Sequence, residues 1–194
     1  DEVFKEISAD TAYYKESGGG VTFSGGECLL YPDFLVSVLG KCRAAGINTA
    51  VETALYVPRG SVEKVLYLTD AFIVDIKHHD SEKHRALTGR ENGGILENIA
   101  FLSRTHLDIT IRIPLIPGRN DDDENLVRTA ELINSFRGGI RTVELLKYNN
   151  LAKSKYDALG EPYMDFGLPQ SEGELARIAR LFRAALNGDT SLTY

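Results

Sequence analysis

Gly18-Gly19-Gly20-Val21-Thr22-Phe23-Ser24-Gly25-Gly26-Glu27 is a short β-branched and aromatic run that ends in two glycines and a carboxylate. Glycine at such a point lets the backbone approach a ligand without a Cβ in the way, and it tolerates positive φ. The glutamate then offers an anionic acceptor to an amino group. A lone Gly-Gly-Glu triplet reads equally well as a plain strand-to-helix turn. The ten-residue string is far more specific.

On either side the periodicity alternates between helix and strand. Residues 1–16 place Val3, Phe4, Ile7 and Tyr14 near one helical face, and a strand follows at 20–24. Residues 32–45 predict a helix with Phe34, Leu35, Val38, Leu39, Cys42 and Ala45 in a 3–4 rhythm, Pro32 in its first turn and Gly46 as its stop. A strand at 47–53, a short helix at 60–68 and a buried-type strand at 71–77 come next. Helices at 81–88 and 93–105 lead to a strand at 108–116. Asp121, Asp122 and Asp123 open a helix at 122–136, where acidic side chains suit the positive end of the dipole better than they suit a metal. A strand at 142–147, an irregular stretch to about 170 and a helix at 171–187 with a Ser171/Glu174 capping box complete the pattern. Five apolar strands alternating with helices predict an α/β fold with a parallel sheet. Periodicity does not separate a barrel from an open sheet, and in both the chemistry gathers at the C-terminal ends of the strands.

That rule picks out Glu27 after the first strand, Glu52 and Thr53 after the second, and Asp75 and Lys77 after the third. It adds Arg112 on the fourth strand and Tyr148 with Asn149 after the fifth. One strand ending in charge is merely entering solvent. Five such endings suggest a shared polar cavity. Asp75 and Lys77 alternate onto one face, and a lysine turned inward needs a carboxylate or an anionic ligand. Arg112 lies among Ile111, Ile113 and Leu115, and arginine suits bidentate carboxylate recognition. An internal Asp75–Arg112 or Asp75–Lys77 ion pair is the plain alternative, compatible with a ligand role.

The 194 residues are 43% hydrophobic and 26% charged, as expected of one globular domain over 1–194. A net charge of −6 argues against an electrostatic grip on nucleic acid or anionic lipid, and no apolar run is long enough for a membrane helix. A cytoplasmic setting is expected. The only cysteines, Cys28 and Cys42, are too few for a zinc or iron–sulfur ligand set and read as packed thiols. His78, His79, His84 and His106 read as ordinary residues; His78 and His79 sit near a strand end, and Lys83-His84-Arg85 reads as a solvated helix face.

The ordered set of motifs resembles the glycyl-radical-enzyme activating enzymes of the radical S-adenosylmethionine (SAM) class, typified by pyruvate formate-lyase activating enzyme. That family runs GGE, a D/E-T pair, D-x-K, R-x-x-x-x-P-G, L-L-x-Y and K-x-K-[WY]. This chain has Gly25-Gly26-Glu27, Glu52-Thr53, Asp75-Ile76-Lys77, Arg112 to Gly118, Leu145-Leu146-Lys147-Tyr148 and Lys153-Ser154-Lys155-Tyr156 over about 1–187. The resemblance implies a partial (β/α) TIM-type barrel in which the first strand and the C-x-x-x-C-x-x-C cluster loop are absent. It also implies a truncated core that is inactive alone and leaves a sheet edge open to self-association.

By the same resemblance Gly25, Gly26 and Glu27 line the SAM amino group. Lys77 and Arg112 face its carboxylate with Asp75 orienting them, and Thr53 and Asn149 contact the cofactor. Ile113 to Leu115 help form the adenine side, and Glu52, Thr53 and Asp75 sit where a monovalent cation can bind. The implied cofactors are SAM and a [4Fe–4S] cluster whose ligands are absent here. The implied partners are a glycyl radical enzyme such as pyruvate formate-lyase and a flavodoxin or ferredoxin reductant. The implied reaction is hydrogen abstraction from a glycine by a 5′-deoxyadenosyl radical. Close relatives follow the fifth strand with Tyr-His where Tyr148-Asn149 stand, and often place glycine where Ala54-Leu55 stand. An ordinary βα enzyme for a phosphorylated or acidic small molecule, and a non-catalytic partner-binding module, remain alternatives at this point.

Overall fold

A computed structural model describes residues 2–105, 107–136 and 138–194; His106 lies outside the described residues. The strands are β1 (Gly20–Phe23), β2 (Asn48–Thr53), β3 (Ala71–Asp75), β4 (Asp108–Pro114), β5 (Ile140–Leu146) and β6 (Ser191–Thr193), in one sheet in chain order. The β1–β2, β2–β3 and β5–β6 pairings are parallel. The helices are α1 (Glu2–Ala9), α2 (Thr11–Ser17), α3 (Pro32–Ala44), α4 (Arg59–Val65), α5 (Ser81–Thr88), α6 (Gly93–Leu102), α7 (Asp123–Ser135), α8 (Lys153–Leu159) and α9 (Glu172–Ala185). Three differences from the periodicity stand out. The first helix is broken at Asp10 into α1 and α2, a short helix α8 lies in the stretch read as irregular, and a sixth strand follows α9. The chain divides into two compact units, one of residues 1–75, 92–111 and 136–141, the other of 76–91, 112–135 and 142–194.

In the first unit alternation divides β2 cleanly. Thr49, Val51 and Thr53 are buried, while Ala50 and Glu52 are half-buried on the opposite face. In β3 Phe72 and Val74 are buried and Ile73 and Asp75 take the other face. Helix α3 covers the sheet with Leu35, Val38, Leu39 and Cys42, each buried, and burial of that kind contributes about 1.5–3 kcal/mol for a large aliphatic side chain. Pro32 begins α3 as its first residue, and Gly46 after it has φ +67°. Among the three glycines at 18–20 packing makes one indispensable: a Cβ on Gly20 would stand 2.0 Å from the Asn48 carbonyl oxygen. Among the described residues strand β1 is the first in the sheet order and pairs with β2.

In the second unit α7 and α9 pack on one another through Leu126, Ala130 and Ile133 and through Leu175, Ile178, Ala179 and Phe182. Asp122 caps α7 by accepting from the Asn125 N–H at 3.0 Å, and Asp121 accepts from the Gly118 N–H at 2.8 Å. The acidic run therefore shapes a turn and a helix start. Ser171 caps α9, accepting from the Glu174 N–H at 3.2 Å. His84 departs from its solvated reading: it is 4% exposed, with Nδ1 2.7 Å from the Arg90 carbonyl oxygen. It joins the loop after α5 to the helix instead of facing water. No helix among the described residues is long and apolar enough to cross a membrane.

Candidate functional site

In the first unit the residues after β1 and β2 converge on one carboxylate. Glu27 caps the short 3-10 turn Cys28–Leu30, its Oε1 accepting from the Leu29 N–H at 3.1 Å. The Thr53 hydroxyl donates between both carboxylate oxygens, 2.8 and 2.9 Å away, and the Ala54 N–H donates to Oε2 at 3.0 Å. Thr53 Oγ1 in turn accepts from the Leu55 N–H at 2.9 Å. The two turns are thus locked together through a single side chain. Leu55 is fully buried with φ +55°, the one described non-glycine residue with positive φ. Left-handed backbone costs a branched residue about 1–2 kcal/mol, and the buried side chain together with the Thr53 hydrogen bond holds it there.

A carboxylate has about four acceptor positions, and two backbone amides and one hydroxyl leave room for a further donor such as an ammonium. The space for one exists. A Cβ added at Gly25 or Gly26 would meet no atom within 4 Å, and Gly25 has φ +118°. Gly26 and Glu27 also line a groove of about 600 Å³ with Ile7, Phe23, Tyr31 and Phe34. The donor set and the open backbone fit an amino-acid ammonium.

Glu52 and Thr53 leave β2 on opposite faces, so Thr53 turns to Glu27 while Glu52 shares the less buried face with Asp75 of the next strand. No group of three or more His, Cys, Asp or Glu side chains that could hold a metal ion occurs among the described residues. Cys28 donates its thiol to the carbonyl oxygens of Phe23 and Glu52, both at 3.6 Å. Burial, with the Glu27 charge second, pushes that thiol up to about 11, so it is a protonated packing residue. Cys42 is buried in α3. The two cysteines do not fit a [4Fe–4S] cluster, which needs several thiolates.

In the second unit Arg112 Nε donates to Glu144 Oε2 at 2.7 Å, and both side chains are about one quarter to one third exposed. Glu144 alternates with buried Val143 and Leu145 on β5. The rule that marks Arg112, a charge set among apolar strand positions, therefore marks Glu144 as well. Beyond β3 the Ile76 N–H donates to the Arg112 carbonyl at 2.9 Å, and the Lys77 carbonyl accepts from Asn120 Nδ2 at 2.8 Å. Leu115 is fully buried; its N–H donates to the Leu146 carbonyl and its carbonyl accepts from Gln170. Past β5 the Tyr148 N–H donates to Gln170 Oε1, and Tyr148 Oη lies 2.9 Å from Tyr163 Oη. Asn149 is exposed, and its Oδ1 accepts from the Leu151 N–H at 3.2 Å.

His78 is buried, and its Nδ1 accepts from the Asp80 N–H at 3.0 Å. Burial, and next the neighbouring His79, hold its imidazole below the usual range, consistent with an acceptor nitrogen. His79 Nδ1 lies 2.7 Å from Asn125 Oδ1. Both histidines brace the turn after β3.

Comparison with known proteins gives this geometry a family. Residues 2–130 match the model of the radical SAM superfamily. The chain is 46% identical over 164 residues to the (2S)-3-sulfopropanediol dehydratase activating enzyme of Klebsiella oxytoca, covering 84% of this chain and 52% of that one. It is 42% identical over 187 residues to the trans-4-hydroxy-L-proline dehydratase activating enzyme of Clostridioides difficile, covering 95% and 62%. The chain thus spans a little over half the length of these relatives. A crystal structure of a domain of pyruvate-formate lyase-activating enzyme from Bacteroides vulgatus superposes with a TM-score of 0.73 at 31% identity, covering 91% of this chain and 99% of that one. A shared strand-end carboxylate, an α/β sheet of parallel pairings and these similarities lead to one assignment: the chain belongs to the radical SAM superfamily, among the activating enzymes of glycyl radical enzymes.

Proposed function

We propose that this chain is the SAM-binding core of an activating enzyme that installs a glycyl radical on a partner enzyme of the pyruvate formate-lyase type. The observation that carries the reading is the Glu27 carboxylate, immobilised by Thr53, Leu29 and Ala54 beside two glycines with open space over them. Such preorganisation is what recognition of a small zwitterion requires, because orientation fixed beforehand is not paid for on binding.

Glu27 accepts from the methionyl ammonium, and Gly25 and Gly26 allow main-chain approach to it. Lys77 and Arg112 serve the methionyl carboxylate, with Asp75 orienting them and Glu144 fixing the Arg112 guanidinium. Ile113 and Leu115 back the adenine side, and Asn149 adds a polar contact. Glu52 and Asp75, which share one face, remain candidates for a monovalent cation beside SAM, whereas Thr53 has its hydroxyl turned to Glu27 and does not join them. When bound, SAM supplies the hydrogen-abstracting chemistry of this superfamily. The chain's residues orient it and limit what the reacting carbon can meet. The [4Fe–4S] cluster needs ligands beyond Cys28 and Cys42, and no step is derived through it. A flavodoxin or ferredoxin reductant, a cytoplasmic setting and self-association through the β1 edge belong to the same proposal.

Calorimetric titration of the chain with SAM tests it. Binding by the unmodified chain and its loss in Glu27→Ala are expected. Equal binding by both would overturn the assignment of Glu27.

A further inference from the structure

We propose that two buried carboxamides, Asn120 and Gln170, are the positioning residues that set the strand ends carrying Lys77, Leu115 and Asn149. The inference rests on the SAM reading above and extends it to residues that touch no ligand.

Backbone groups just past the end of a strand have left the sheet ladder and must find partners elsewhere when buried. Asn120 is fully buried, and its side-chain amide makes three hydrogen bonds to main chain. Nδ2 donates to the Lys77 carbonyl at 2.8 Å and to the Pro114 carbonyl at 2.7 Å, and Oδ1 accepts from the Ile116 N–H at 2.7 Å. One planar amide therefore joins the segment after β3 to the end of β4.

Gln170 is 6% exposed and makes the corresponding link one strand further on. Nε2 donates to the Leu115 carbonyl at 3.3 Å and to Asp121 Oδ2 at 3.0 Å, while Oε1 accepts from the Tyr148 N–H at 3.1 Å. It joins the end of β4 to the segment after β5. Leu115 and Tyr148 are thereby tied through one side chain, and Asn149 follows directly.

A third amide supports the first. Asn125 Nδ2 donates to the Asn120 carbonyl at 2.6 Å, and Asn125 Oδ1 accepts from the His79 N–H at 3.3 Å. The loop bearing Asn120 is thus fixed from below by α7 and from the side by the turn after β3. The chemistry requires a carboxamide. Two carbonyls and one N–H call for two donors and one acceptor on a rigid plane, which is the inventory of Asn and Gln. A carboxylate at 120 would face the Lys77 and Pro114 carbonyls with lone pairs alone. A methyl there would remove the side-chain partner of three part-buried main-chain groups.

The test is SAM titration of the chain alongside Asn120→Asp, Gln170→Leu and a comparator, Ile178→Ala. The comparator empties a fully buried position in α9 and lowers stability without touching the strand ends. Each positioning variant is expected to weaken SAM about tenfold or more, since misplacement at a distance disturbs a preorganised site. The comparator should keep the wild-type affinity at an equal loss of Tm. SAM-induced shifts of the Lys77 and Asn149 amide signals should persist in Ile178→Ala and vanish in the positioning variants. In the unmodified chain the Ile116 and Tyr148 amides should exchange as slowly as strand amides. Fast exchange at both would overturn the inference even if no variant folded. Wild-type affinity in Asn120→Asp and Gln170→Leu, or a loss matched by the comparator, would also overturn it while leaving the SAM reading intact. No SAM binding by the unmodified chain would overturn the SAM reading and this inference together.

Discussion

Replacing Thr53 by valine removes one oxygen and very little volume, yet three groups depend on that oxygen. Its hydrogen bridges both Glu27 oxygens at 2.8 and 2.9 Å, and its lone pair receives the Leu55 N–H at 2.9 Å. A hydrogen bond to a charged group contributes about 1.5–3 kcal/mol, and a buried N–H left without an acceptor costs about 1–3 kcal/mol. The half-buried Glu27 recovers part of its loss from water, whereas Leu55, fully buried, recovers little. A net loss of about 2–4 kcal/mol follows, and at roughly 2–4 °C per kcal/mol for a chain of this size Tm should fall by about 5–15 °C. The consequence for binding is separate: Glu27 loses the donor that orients it, so SAM affinity should drop as well. Differential scanning calorimetry and SAM titration of Thr53→Val measure the two effects. A Tm within about 1 °C of wild type with unchanged SAM affinity would refute the view that Thr53 organises this carboxylate.

Other perturbations probe neighbouring residues. At position 55 alanine should be worse than glycine, by about 1 kcal/mol in urea unfolding, because the φ of +55° is unfavourable for any Cβ; the ordinary order, alanine the more stable, would deny the strain. Gly20→Ala should lose the fold or at least about 3 kcal/mol, since its Cβ would overlap the Asn48 carbonyl, and circular dichroism would reveal a tolerated alanine. Cys28 ties stability to alkaline pH. Its folded value, raised to about 11 from an ordinary 9.0, favours the protonated native state. That stability is complete below pH 9.0 and is lost as pH rises toward about 11. Cys28→Ala should therefore flatten the alkaline limb of Tm against pH, and an identical limb in the variant would place the effect elsewhere.

The strand-end rule was legible because it needs only alternation and order. Alternation and order alone put Glu27, Asp75, Lys77 and Arg112 on or just past strand ends or on polar strand faces. What alternation does not contain is cross-strand register. It could state that Arg112 stands out from its apolar neighbours but not that Glu144, thirty-two residues on, lies against it. Thr53 was marked as polar, yet its service to Glu27 depends on two turns meeting from separate strands. β6 has three residues, too few for any period to show. Helix α8 buries none of its side chains, so it has no apolar stripe to read. His84 misled because its charged neighbours, Lys83 and Arg85, point elsewhere from the same helix. Asn120 and Gln170 carry no motif of their own, and their role exists only in the main-chain groups they join.

A structure of the chain with SAM decides whether Glu27 receives the methionyl group. The methionyl nitrogen is expected at hydrogen-bond distance, about 2.7–3.2 Å, from Glu27 with the Thr53 and Ala54 contacts retained. SAM seated elsewhere, with the Glu27 carboxylate untouched, would contradict that placement.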